Sequence, residues 1–100
     1  MNFSILSWNV RGLGKKEKAR AVRRLVGSKK PTVFFLQETK LSKFDPSMYR
    51  RLGCGNLMES IAVPAIGSSG GLFCAWNSEV FEVSDKFVFN RFTAIIGRFK

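Results

Sequence analysis

Two short polar segments of this sequence carry residue types that bind metal ions and phosphates. They read SWNVRGL at positions 7–13 and LQETK at positions 36–40, and each lies where an apolar run ends. The amide oxygen of Asn9 and the carboxylate of Glu38 are hard oxygen ligands, which suit Mg²⁺ with several bound waters. These two side chains are therefore the candidate metal ligands, provided that the fold brings them together.

The elements around these segments predict such a meeting. The apolar runs at 3–10 and 33–37 are typical of β-strands, and a basic helical pattern separates them. The first run is nearly all apolar, which fits a central strand covered on both faces better than an edge strand. A strand, a crossover helix and a second strand form a right-handed unit with the two strands side by side. We therefore expect Asn9 and Glu38 at the same end of one sheet, with oxygens about 4–6 Å apart, which one hydrated Mg²⁺ spans.

The motifs SWN-x-x-GL and LQETK resemble the opening of the endonuclease/exonuclease/phosphatase superfamily. Its members include deoxyribonuclease I, the abasic-site endonucleases of DNA repair and the endonuclease domains of LINE-type retrotransposons. The further wording KKEK-A, GSSGGL and WN is most similar to plant non-LTR retrotransposon reading frames. The resemblance implies a Mg²⁺-dependent phosphodiesterase acting on DNA, with Mn²⁺ as an alternative ion. It also implies that Asn9 and Glu38 are both catalytic and metal-binding.

The resemblance covers only the first part of the family domain. Residues 1–100 are thus expected to be a partial domain, truncated at its C-terminus, from a four-layer α/β/β/α sandwich. One mixed sheet with an outer helix is the part that this chain would build. The family's later tyrosine, Asp-x-Asn pair and Asp-His pair find no match: Tyr49 falls too early, and the chain contains no histidine.

Three functional interpretations follow. The first is an N-terminal fragment of a retrotransposon-derived, Mg²⁺-dependent endonuclease that is inactive alone, because no general base is identifiable. The second is a non-catalytic, basic nucleic-acid-binding remnant of such a domain, and the third is a transposon-derived reading frame without selected function. Downstream sequence with an in-frame Asp-x-Asn and Ser-Asp-His would favour the first.

Individual residues keep simpler alternatives. Asn9 alone is typical of a turn, and Glu38 alone of a solvated loop. Arg11 departs from the repair-type members, which carry an acid there, and this argues against an abasic-site repair enzyme. Lys40 either neutralises a phosphate, orients Glu38, or is simply solvated. Arg91 matches, by resemblance, a basic position that contacts the DNA backbone in some relatives.

Positive charge is concentrated in one segment. Residues 11–30 hold nine lysines and arginines and one acid, Glu17, so +8 of the net +10 lies there. A local basic block suits a polyanion such as nucleic acid, with Arg20, Arg23 and Arg24 as candidate phosphate contacts, although a solvated helix face explains it equally. Binding of this kind is expected to be weak, non-specific and salt-dependent.

The remaining pattern predicts a mixed α/β chain with a largely antiparallel second part. A helix is expected over 15–27, ended by Gly27, Ser28 and Pro31, and a short helix from Pro46. Further strands are expected at 56–63, 72–76, 81–89 and 92–99. The glycine-serine loop at 64–71 lacks the lysine and the helix of a phosphate-binding loop, so it is interpreted as a hairpin turn.

Cys54 and Cys74 lack metal-ligand spacing, no signal peptide is visible, and no apolar run reaches membrane-spanning length. We therefore expect an intracellular, nuclear protein with reduced thiols and no membrane partner. The sequence predicts no oligomeric state.

Overall fold

Two helices and six strands follow one another in the order that the sequence predicted. The computed structural model describes residues 3–55, 58–89 and 91–100. The elements are β1 (Ile5–Asn9), α1 (Lys16–Lys29), β2 (Val33–Gln37), α2 (Pro46–Arg51), β3 (Met58–Val63), β4 (Leu72–Asn77), β5 (Phe81–Val88) and β6 (Thr93–Phe99). The mixed α/β class is confirmed; the predicted start of the third strand at Asn56 lies outside the described residues.

The main sheet has four strands in the order β1-β2-β4-β3. β1 and β2 are parallel, with Asn9 opposite Gln37, and the other pairs are antiparallel. The prediction that the first strand is central and covered on both faces was wrong. β1 lies at the sheet edge, and Ile5 is 62% exposed. Its apolar composition resembles that of a central strand, but β2 takes that place, between β1 and β4.

The two helices cover one face of this sheet. Side chains that alternate along β2 and β4 pack there against α1 and α2; the buried members of this helix-side core are Val10, Leu13, Ala19, Val22, Val26, Phe34, Leu36, Met48, Leu52, Phe73 and Ala75. The spacing of Ala19, Val22 and Val26 turns one helical stripe inward. No helix in the described part of the chain is both long and apolar enough to cross a membrane.

α1 ends later than predicted. Gly27 and Ser28 lie within the helix, which runs to Lys29 and is closed by Lys30 in left-handed conformation, with its N–H donating to the Val26 carbonyl. Glycine in a helix costs only about 1 kcal/mol, which packing offsets. The helix stops where Lys30 changes backbone region and Pro31 follows.

The last two strands form a separate two-stranded ribbon, which the sequence did not predict. β5 and β6 pair with each other and pack against the sheet face opposite the helices. Val33, Cys74 and Trp76 are buried there, with Phe81, Val83, Ile95, Phe35 and Ile61 partly buried against them. This ribbon side of the sheet also carries Asn9 and Gln37, because alternate residues of a strand point to the same face.

Candidate active site

Asn9 and Glu38 meet at the ends of the two parallel strands. The Asn9 side chain donates a hydrogen bond from Nδ2 to Glu38 Oε2, and its Oδ1 accepts one from the Arg11 N–H at 3.2 Å. The residue before Glu38, Gln37, also bridges the two strands: its Nε2 donates to Ser7 Oγ at 3.0 Å. The parallel pairing of β1 and β2 thus places an amide and a carboxylate side by side, whereas their role as metal ligands stays a prediction.

The backbone around this pair is unusual. Three non-glycine residues adopt the left-handed backbone conformation here: Arg11 (φ 52°), Glu38 (φ 54°) and Lys40 (φ 57°). Each such residue costs on the order of 1–3 kcal/mol, and such residues cluster at functional sites. Outside this region, the structure shows the same conformation at one other non-glycine residue among those described, Lys30.

Backbone hydrogen bonds hold the strained segments in place. Gly12 N donates to Glu38 O at 2.7 Å, and Leu13 N donates to Thr39 O at 2.9 Å. On the other side, Thr39 N donates to Gly71 O at 3.1 Å and Lys40 N to Gly70 O at 2.8 Å. The Glu38 segment is therefore clamped between the loop after β1 and the loop before β4.

Gly71 makes this clamp possible. Its φ is +91°, and a Cβ added there would lie 2.2 Å from Thr39 Oγ1. Thr39 is itself 1% exposed and accepts a hydrogen bond from Leu41 N at 3.4 Å. The close approach of the two loops thus depends on a glycine at this position.

An open cleft of about 570 Å³ lies beside Glu38, and we call it the Glu38 cleft. It is lined by Gln37, Glu38, Ile66, Ser69, Gly70, Gly71, Leu72 and Arg91. The glycine-serine loop is a hairpin connection, as predicted, with a bridge between Ile66 and Ser69, and it also forms one wall. Arg91, from the turn of the ribbon, brings a cation to the same cleft as the carboxylate.

The donor set fits a hydrated divalent cation. Glu38 accepts one side-chain hydrogen bond, so Oε1 and further lone pairs of Oε2 remain for a metal ion or its waters. Asn9 Oδ1 keeps a second lone pair beside the one used by Arg11 N–H. Mg²⁺ is usually held through one or two carboxylates and keeps several waters. No cluster of three or more His, Cys, Asp or Glu residues suited to a metal is found among the described residues.

The other predicted phosphate contacts do not all gather here. Lys40 lies in the strained segment, with its Cδ 3.7 Å from where a Gly12 Cβ would be. Arg20 and Arg23 instead line a different cleft on the helix side of the sheet, and Arg24 is exposed on α1 and lines neither cleft. The basic helix and the Asn9–Glu38 pair therefore face different sides of the molecule.

Sequence reasoning missed the residues that build the scaffold of the site. The sequence pattern assigned no role to three of them, Thr39, Gly71 and Gln37, because none is a typical catalytic or metal-binding residue. The double glycine at 70–71 was the available signal, since paired glycines indicate a close backbone approach as well as a turn.

Comparisons with known proteins agree on the fold. A sequence model of the endonuclease/exonuclease/phosphatase family matches residues 6–98. The solved AP endonuclease LMAP from Leishmania major is 28% identical, with a TM-score of 0.60 over 76% of this chain and 24% of that chain. A comparison with curated proteins gave no match.

Two more distant solved structures show the same fold. The 3′ phosphatase NExo from Neisseria, bound to a product DNA hairpin, is 19% identical, with a TM-score of 0.66 over 88% of this chain and 31% of that chain. A mannosyl-6-phosphatase from Bacteroides thetaiotaomicron is 15% identical, with a TM-score of 0.54 over 86% of this chain and 35% of that chain. The chain spans between a quarter and about a third of the length of these three proteins.

Proposed function

The chain belongs to the endonuclease/exonuclease/phosphatase family, and from this premise we propose that it forms the Asn9–Glu38 part of a Mg²⁺-dependent phosphodiesterase site that acts on DNA. The observation that carries the proposal is the hydrogen-bonded Asn9–Glu38 pair, held at the ends of parallel strands in left-handed backbone beside an open cleft. Members of the family typically depend on a divalent metal ion. A nuclease or phosphodiesterase type of domain is the function that this membership supports.

Each residue of the cleft has a distinct task in this proposal. Glu38 is the charged ligand for Mg²⁺, with Mn²⁺ as an alternative, and Asn9 supplies an amide oxygen and orients the carboxylate through Nδ2. When bound, the metal ion neutralises charge that develops on a phosphate during hydrolysis. Arg91, which also lines the cleft, would contact a neighbouring phosphate with its guanidinium, which suits paired phosphate oxygens.

DNA is the proposed substrate on two grounds. One structural neighbour is bound to a DNA hairpin, and another is an AP endonuclease by name. The net charge of +10 favours a polyanion over a small neutral molecule, and Arg91 brings one of these cations to the Glu38 cleft itself. The mannosyl-6-phosphatase neighbour shows that the fold alone does not select the substrate. A retrotransposon origin close to plant LINE-type elements, and a nuclear location, are further parts of the proposal and rest on the sequence motifs.

Metal binding tests the site without requiring catalysis. We expect Mn²⁺ to broaden NMR signals of residues near Asn9 and Glu38 at the lowest metal concentrations, and Mg²⁺ to reverse the effect by competition. Glu38→Gln removes the charged ligand with little change in shape, so the dissociation constant for Mn²⁺ should rise roughly tenfold or more.

Glu79→Gln is the matched control. Glu79 is an exposed acid in the turn before β5, where its backbone N–H, not its carboxylate, bonds to Asn77. This variant carries the same charge change and should bind Mn²⁺ like the parent. Equal loss in both variants would show unspecific ion binding and remove the metal-site proposal.

A second candidate function is nucleic-acid binding without cleavage. The +8 carried by residues 11–30, together with the lack of histidine in this chain, favours it. A positioned general base contributes typically about 10²–10⁴-fold to such reactions, and none is identifiable. The purified chain should therefore bind duplex DNA weakly, with an affinity that falls steeply as salt rises.

A nicking assay shows whether this chain cleaves DNA by itself. Supercoiled plasmid incubated with the chain and Mg²⁺ should stay intact if this chain only binds DNA. Nicking by the parent chain that disappears in Glu38→Gln but persists in Glu79→Gln would show instead that the chain is catalytic.

A further inference from the structure

A second cleft lies on the helix side of the sheet, bounded by α1, by the residues that precede it and by α2. Its volume is about 560 Å³, and it shares no lining residue with the Glu38 cleft. Four exposed cations border it, Lys16, Arg20, Arg23 and Arg51, and we call it the basic cleft. A concavity of this size accommodates a small molecule or a few residues of a peptide.

The four cations have no partner in the part of the chain that the structure describes. Within the described residues, none of them forms an ion pair or a side-chain hydrogen bond. Two acids lie near these cations: Glu17 in the first turn of α1, three residues before Arg20, and Asp45. The pKa of Asp45 is lowered chiefly by hydrogen bonds from the Ser47 hydroxyl and backbone and, to a smaller extent, by Arg51. The Asp45 carboxylate already caps α2, and the four cations outnumber these two acids. The cleft therefore keeps an excess of positive charge, which favours an anionic ligand.

The floor of the basic cleft is apolar. It consists of Leu13, Ala19, Leu41 and Met48, of which Leu41 is half-buried and the other three belong to the helix-side core. Methionine adapts its shape to different partners, and the alkyl parts of the bordering side chains extend the apolar surface. A suitable ligand therefore combines negative charge with an apolar group.

This combination distinguishes between the possible anions. A duplex DNA backbone offers phosphates but no apolar group to cover the floor. A single-stranded base prefers an aromatic platform, and no aromatic side chain lines the described cleft. An acidic peptide with an apolar side chain supplies both properties, since clusters of arginine are a common means of recognising acidic motifs.

We propose that the basic cleft is a docking site for an acidic peptide segment of a partner protein. An apolar side chain of that segment packs on Leu41 and Met48, while its Asp or Glu residues pair with Arg20, Arg23 and Arg51. Lys16, Arg20 and Arg23 follow one another at helical spacing, so they form one stripe along which a peptide can lie. The site requires neither a metal ion nor Glu38 and stands independently of the proposed nuclease function.

Fluorescence anisotropy with defined peptides tests the proposal. The probe is a short labelled peptide in which Asp and Glu residues flank a Leu-Phe pair, and its matched control has Ser-Ser in place of that pair. We expect the control peptide to bind roughly tenfold more weakly, because it has nothing to place on the floor. Binding should also resist added salt better than binding to duplex DNA does, since part of it is apolar.

Matched charge reversals locate the site. Arg20→Glu and Arg23→Glu should each raise the dissociation constant of the Leu-Phe peptide roughly tenfold. Lys100→Glu, which changes net charge equally on an exposed residue away from the cleft, should change it less than about twofold. Arg20→Gln should give an intermediate loss. All these positions are exposed, so the variants should fold, which circular dichroism checks.

Three outcomes would overturn the proposal. If Arg20→Glu and Lys100→Glu weaken binding equally, the attraction is general and the cleft is not the site. If the Ser-Ser peptide binds as tightly as the Leu-Phe peptide, the apolar floor plays no part. If duplex DNA displaces the peptide and loses its own affinity in Arg20→Glu, the cleft is a nucleic-acid surface.

Discussion

The Glu38 cleft and the basic cleft are nearly equal in volume, about 570 and 560 Å³, but they are built in opposite ways. The first is formed by loops in left-handed backbone, clamped by hydrogen bonds, around a single carboxylate. The second is formed largely by regular helices that display four cations above a packed core. The difference shows that the densest charge in this sequence does not mark its candidate chemistry. Arg20 and Arg23 lie on the other side of the sheet from Glu38.

The two regions also differ in how their geometry is stabilised. The helix side depends on apolar burial, which is spread over many side chains and tolerates small changes. The Glu38 region depends on a few backbone contacts that involve Gly12, Thr39 and Gly71. Both glycines have positive φ, and a Cβ added at Gly71 would clash with Thr39. Substitutions should therefore have sharper, more local effects near Glu38 than on the helix side.

The two cysteines report on the two faces separately. Burial raises the pKa of Cys54, packed on the helix side, to about 11 and that of Cys74, buried on the ribbon side, to about 12. The fraction of each cysteine in the thiolate form is therefore about 100-fold or more below that of an ordinary thiol. Because the thiolate is the reactive form, both cysteines should react slowly with Ellman's reagent at pH 8. Cys54 should react first, because it is half-buried whereas Cys74 is fully buried. Equal rates would indicate that the ribbon opens as readily as the helix side.

The same thiols predict how stability depends on pH. Folding raises their pKa, so their contribution is fully present below the ordinary thiol pKa of about 8.5. It is lost as pH rises through the folded values of about 11 and 12. Urea unfolding at pH 8 and pH 10.5 should show lower stability at the higher pH, and Cys74→Ala should reduce that difference.

Gly71→Ala should have the largest effect on folding. The new Cβ would meet Thr39 Oγ1 at 2.2 Å in a backbone conformation that alanine rarely adopts. Overpacking and backbone strain together should lower the free energy of unfolding by about 2–4 kcal/mol, measured by urea denaturation.

Gly70→Ala provides the matched control for this clash. Its φ is +79°, but nothing lies within 4 Å of the added Cβ. Only backbone strain remains, so the loss should be about 1–2 kcal/mol. Equal losses at the two positions would show that the contact with Thr39 does not hold the loops together.

Some of this architecture was accessible from sequence and some was not. The parallel pairing that joins Asn9 to Glu38 followed from two apolar runs and a helical pattern, since these obey simple periodicity. The left-handed backbone at Arg11 and Glu38 was not predictable, because no glycine marks it and it arises from contacts with a loop thirty residues away. The edge position of β1 likewise depends on which strand inserts beside β2, which composition does not encode.

Asn9→Asp tests whether the amide orients Glu38. Aspartate cannot donate to Glu38, and two carboxylates side by side repel, so the variant should lose about 1–2 kcal/mol at pH 7. Protonation of a carboxylate removes the repulsion, so this loss should shrink as pH is lowered towards 4. Mg²⁺ should also reduce it. In Asn77→Asp, where the side-chain oxygen accepts from Glu79 N–H, stability should hardly change.

The smallest expected effect compares left-handed residues in the two regions. Lys30→Gly relieves strain at the end of α1 and should stabilise the chain by about 0.5–1 kcal/mol, because glycine adopts φ 46° freely. Arg11→Gly relieves similar strain at φ 52°, but beside Gly12 it also loosens the loop that holds Asn9. We therefore expect unchanged or slightly higher stability for Arg11→Gly in urea, together with several-fold weaker Mn²⁺ binding by NMR titration. Lys30→Gly should leave Mn²⁺ binding unchanged. Parent-like Mn²⁺ affinity in Arg11→Gly would mean that the strain near Glu38 follows from loop packing alone and does not position a ligand.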